Sequence, residues 1–105
     1  MSLVYIIRIS HGKGQPWKYT VLSKVSLDFC RKHLLKGLPH DENAKGEIYK
    51  ITDEKMSFYR RVHTNESPAS QFEAMIKWGA TKCDSAVWVP ERKMYRFGTG
   101  KYGTD

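Results

Sequence analysis

The longest unbroken apolar run in the chain is five residues, LVYII at 3–7. A bilayer-spanning helix needs roughly 20 apolar residues in a row, so no membrane span is expected. The run and its continuation to residue 9 are rich in β-branched and aromatic side chains and read as a buried strand. The N-terminus also lacks the basic stretch followed by an apolar core that marks a secretory leader. The chain is therefore read as intracellular, in the cytoplasm.

The loop HGKGQP at 11–16, with two glycines and a proline, breaks that strand from a second at 17–22, giving a hairpin with a long connection. Ser26 is placed to cap a helix over 27–36, with Asp28 in the first turn where the helix dipole favours a negative charge. Gly37 and Pro39 stop it. Leu27, Cys30, Leu34 and Leu38 share its apolar stripe. Residues 47–52 and 56–62 read as a second hairpin around Asp53-Glu54-Lys55. In that reading Met56, Phe58, Arg60 and Val62 share one face, and Ser57, Tyr59 and Arg61 the other. Ser67 caps a further helix with Pro68 at its first position, where the missing N–H is harmless, and Gly79 ends it. Ala69, Phe72, Met75 and Ile76 form its core stripe, with Trp78 at the border. Residues 85–89 and 93–97 make a third hairpin around PER. The expected order is ββαββαββ. This is a small α+β domain over 1–97 with a mainly antiparallel sheet and two helices packed on one face, followed by a flexible Gly-rich tail at 98–105.

Eighteen basic against eleven acidic residues give a net charge of +7. The charge is uneven. Residues 1–40 carry seven basic side chains and one acid, Asp28, while residues 41–54 carry five acids and two lysines. Such an asymmetry sets up a positive field over part of the surface and points to polyanionic partners: RNA, DNA or an acidic protein surface.

For nucleic acid the candidate contacts are Arg8, Lys13, Lys18, Lys32, Lys36, Arg61 and Arg96 on phosphates, with Trp17 and Tyr59 stacking on bases. The RNA-recognition-motif consensus, helix-turn-helix and zinc-finger spacings are absent. For a protein partner, as in an inhibitor or adaptor module, Phe29 and Trp78 are the aromatic anchors. A metal-independent ribonuclease is the enzymatic alternative, with His63 and His40 as general acid and base and Arg61 stabilising the charged transition state.

Several motifs carry little. GTGKYG at 98–103 matches G-x-G-x-x-G but is not followed by a helix that could hold a pyrophosphate. The glycine loop at 10–18 lacks Walker A spacing. His40, Asp41, Glu42 and Glu47 make only a weak metal set. Cys30 and Cys83 form no C-x-x-C pair and read as buried thiols. No cofactor or metal is expected.

Overall fold

The computed structural model describes residues 3–12, 14–39, 43–62 and 64–98, together with the strand at 102–103. Strands β1 (Leu3–Ser10) and β2 (Lys18–Ser23) form the first hairpin. Helix α1 (Leu27–Gly37) follows, then β3 (Lys45–Thr52), helices α2 (Asp53–Val62) and α3 (Pro68–Trp78), and strands β4 (Thr81–Val89), β5 (Met94–Phe97) and the two-residue β6 (Tyr102–Gly103). Among the described residues these strands make one antiparallel sheet in the order β2-β1-β3-β4-β5-β6. Both β2 and β3 run antiparallel to β1, so they are parallel to each other. A crossover must join them, and α1 supplies it.

The α+β class expected from the sequence is present, but the order is ββαβααβββ rather than ββαββαββ. The difference lies in residues 56–62, expected as a strand and found as the body of α2. The physical reason lies just upstream. Asp53 and Glu54 occupy the first turn, and Arg60 and Arg61 the last, matching the helix dipole at both ends. The Thr52 hydroxyl accepts a hydrogen bond from the Lys55 N–H at 3.3 Å, which satisfies one open donor of the first turn. Met56 and Tyr59, three residues apart, both turn to the core. The surface of Ser57, Tyr59 and Arg61 expected on one strand face therefore does not exist.

The helices also do not share one face. In β1, Val4 and Ile6 pack in a cluster with Tyr49, Ile51, Met56 of α2 and Met75 of α3. Ile7, of the opposite parity, packs with Cys30, Leu34, Leu35 and Leu38 of α1, with Tyr5 and Ile9 alongside. Alternate side chains of a strand point to opposite faces, so the sheet is sandwiched, with α1 on one side and α2 and α3 on the other. The unbroken apolar run of β1 is what a strand covered on both faces requires.

The expected caps hold. Ser26 accepts from the Phe29 N–H at 3.1 Å and Ser67 from the Ser70 N–H at 3.2 Å. On the α1 side, Arg31 Nε bonds the buried carboxylate of Asp84 at 2.8 Å and Nη1 bonds Asp28 at 2.7 Å. Asp84 Oδ1 also accepts the backbone N–H groups of Ser85 and Gly98, at 2.9 and 2.8 Å. This carboxylate thus ties helix, strand and the turn after β5 together. Within the expected tail, Gly98 is held there and Tyr102–Gly103 pair with β5; residues 99–101 and 104–105 lie outside the described residues. No helix among the described residues is long and apolar enough to cross a membrane.

Candidate functional site

Helices α2 and α3 cover the Val4–Ile6–Tyr49–Ile51 part of their sheet face. Further along β3 and β4 that face is open. Register puts Arg8 of β1 beside Glu47 of β3, Glu47 beside Ser85 of β4, and Val87 beside Arg96 of β5. A register shift between Ile48 and Tyr49 sets Lys82 opposite Tyr49, on the same side as Glu47. Above these residues is a half-open cleft of about 380 Å³, lined by Arg8, Trp17, Lys45, Glu47, Lys82, Ser85 and Val87 among others.

Its structural centre is Glu47. Oε1 accepts from Arg8 Nε at 2.5 Å and from the Tyr49 hydroxyl at 3.1 Å, and Oε2 accepts from Lys82 Nζ at 3.1 Å. Arg8 reaches further, from Nη1 to Glu73 of α3 at 3.2 Å and from Nη2 to the Tyr49 oxygen at 3.3 Å. Its guanidinium carbon lies 4.1 Å from the centre of the Trp17 ring, a cation–π stack. Glu73 also accepts the Tyr19 hydroxyl, and Tyr19 stacks on Phe72 with ring centres 5.1 Å apart.

The titrations follow this wiring. Burial alone would raise the Glu47 carboxyl, but the hydrogen bonds from Arg8 and Lys82 outweigh it and hold the group below the ordinary carboxylate range. Burial opposes the charge on Arg8, and Glu47 more than restores it. Burial and the bond to Glu73 push the Tyr19 phenol up to about 12. Arg8 is therefore a permanent, part-buried cation with the Trp17 ring stacked against it.

The sequence candidates divide between surfaces. Arg8 and Trp17 meet on the open face, and Arg96 stands beside Val87 on β5, outside the cleft lining. Lys18, opposite Ile9 on the edge strand, belongs to the α1 side. Lys32 and Lys36 are exposed on α1 itself. Tyr59 is half-buried in α2, its ring close against Gly79 at the end of α3. Arg61 is exposed in the last turn of α2. Phe29 is exposed on α1 and stacks on His33, with ring centres 6.4 Å apart. Trp78 is 72% exposed at the end of α3, with Lys77 Nζ 5.2 Å from its ring centre. Lys13, His40 and His63 lie outside the described residues, as do Asp41 and Glu42. Glu47, the remaining member of the expected metal set, is engaged by Arg8 and Lys82. Among the described residues no group of three or more histidine, cysteine or acidic side chains could hold a metal ion.

Sequence reasoning missed Lys45, Lys82, Ser85 and Val87, and the structural role of Glu47. One signal was available. Arg8 stands on the parity of Val4 and Ile6, and Glu47 on that of Tyr49 and Ile51. A charge on the buried parity of each of two strands marks a cross-strand pair. Nothing local could mark Lys82, since its place depends on the register shift. The chain matches no protein-family model, no curated protein and no solved structure.

Proposed function

We propose that this chain is a small basic nucleic-acid-binding domain, acting through electrostatics and aromatic stacking rather than through catalysis. One observation carries the reading. The helix-free part of the sheet face presents an aromatic ring, Trp17, stacked on Arg8 and bordered by Lys45 and Lys82, with Arg96 beyond. A sheet face with a stacking ring and cations along its edges suits a polyanion that carries planar bases. The acids Asp28, Glu47, Glu73 and Asp84 are bound up with Arg8, Arg31 and Lys82, while most lysines are spread over the exposed surface.

The test is fluorescence anisotropy with labelled RNA and DNA at low and physiological salt. Binding should weaken steeply with salt, since each neutralised phosphate releases counterions. Absence of binding at low salt overturns the reading. Cleavage of the RNA during titration would instead favour the ribonuclease reading built on His40, His63 and Arg61.

A second reading rests on a different surface. Phe58 and Val62, one turn apart on α2, are both exposed. Phe58 meets Tyr59 edge-on, and Tyr59 abuts Gly79, the residue after the exposed Trp78. Arg60, Arg61 and Lys77 flank them. An apolar pair at helical spacing with a basic rim suits the acidic surface of a protein partner. Under this reading Trp78→Ala abolishes partner binding that survives moderate salt, and leaves any nucleic-acid binding unchanged.

A further inference from the structure

We infer that the cleft between Trp17 and Val87 is a slot for one unpaired base, so that the domain takes single strands in preference to duplex. This rests on the nucleic-acid reading. At about 380 Å³ the cleft lies at the small end of ligand pockets, which run roughly 300–1,000 Å³. Its lining sets the Trp17 indole and Val87, which is 53% exposed although it sits within a strand, among the charged Arg8, Lys45, Glu47 and Lys82. Ser85 stands between Glu47 and Val87 in the lining, and its small side chain leaves the strand backbone approachable. One face of the indole is already engaged, since Arg8 stacks on it and is itself tied to Glu47, Glu73 and Tyr49. This contact lowers the ordering that a ligand must impose on the ring.

The cations frame this slot along the strands. Lys45 lies two residues before Glu47 on β3, and Lys82 pairs with Tyr49, two residues after it. Four residues of strand separate the two backbone positions by about 13 Å, and Lys82 reaches back to Glu47 Oε2 at 3.1 Å while half exposed, so a base seated in the slot has Lys45 for one neighbouring phosphate and Lys82, shared with Glu47, for the other. Bases within a duplex are stacked and paired, and reaching such a slot would require flipping one out at a cost of a few kcal/mol. Reading a duplex through its groove needs a projecting helix or ribbon, whereas this surface is recessed.

Anisotropy against three labelled probes tests the inference: a short single strand, its duplex, and the same strand carrying abasic sites. The abasic strand keeps every phosphate and removes the bases. The single strand should bind about 5- to 150-fold tighter than the abasic strand, the range expected of one base–aromatic stack, and tighter than the duplex. Trp17→Ala and the cleft-filling Ser85→Phe should each bring the single strand down to the abasic level with the salt dependence retained. Trp17→Phe should keep the preference, and thermal melts establish that each variant is folded. Equal binding of all three probes by the native protein, or an unchanged preference in folded Trp17→Ala and Ser85→Phe, overturns the slot and leaves the nucleic-acid reading standing. Failure to bind any probe at low salt overturns both.

Discussion

Replacing Glu47 with Gln should lower stability and raise nucleic-acid affinity together, and the opposed signs make this the most informative single change. The side chains of Glu47 and Arg8 are 16% and 14% exposed, and Lys82 is half exposed. Lys82 returns to water at little cost, as exposed pairs contribute ~0–1 kcal/mol. Arg8 does not. Breaking a buried ion pair from one side costs about 3–5 kcal/mol. Glu73 remains at 3.2 Å, but it is 53% exposed and restores only part of that. The expected loss is therefore about 2–3 kcal/mol. At roughly 4–8 °C per kcal/mol for a domain of this size, the melting temperature should fall by roughly 10–20 °C.

Urea unfolding should show the midpoint moving with an unchanged slope. The pH dependence follows from the lowered Glu47 pKa. A carboxylate stabilised in the folded state contributes fully above its unfolded pKa of about 4.3, and the contribution is lost as pH falls through the lower folded value. The gap between native protein and variant should be largest at neutral pH and close in acid below about pH 4. In binding, loss of one negative charge from the cleft should tighten RNA or DNA at low salt. A stability change within ~0.5 kcal/mol at neutral pH, the range of an ordinary surface substitution, would refute the buried-pair argument. So would a gap independent of pH. Weaker binding by the folded variant would count against the cleft as the interface.

Gly79→Ala should destabilise by about 1–3 kcal/mol in urea unfolding, as overpacking does, because the new methyl would lie 2.7 Å from the Tyr59 ring and 3.2 Å from Ile51 Cδ1. Burial, with Cys83 nearby, pushes the Cys30 thiol up to about 11, and burial also raises Cys83. A disulfide reagent at mildly alkaline pH should therefore label the native protein far more slowly than the unfolded chain. In a spectrophotometric titration one tyrosine should ionise only near pH 12, and Glu73→Gln should move that step down, since burial and the bond to Glu73 hold Tyr19 there. An unchanged step would show that burial alone sets it.

What the sequence determined by itself was local. Ser26 and Ser67 announce their helices because a cap satisfies donors within one turn, and Gly79 ends its helix as expected. The strands at 4–9, 17–22 and 47–52 were legible to within about two residues from β-branched runs and turn residues. The same kind of signal failed at residues 56–62. Seven residues of mixed pattern fit both a period of 2 and one of 3.6, and Asp53, Glu54, Arg60 and Arg61 decide the matter through the helix dipole. Tertiary structure alone decided which face each helix covers, because Val4 and Ile6 differ from Ile7 only in parity. It also decided the cleft. Arg8, Trp17, Glu47, Lys82 and Val87 come from three strands and a loop, and their meeting depends on register, including one shift between Ile48 and Tyr49. A register is a pairing between distant segments, set by which side chains must be buried once the sheet is assembled. No window along the chain contains that information.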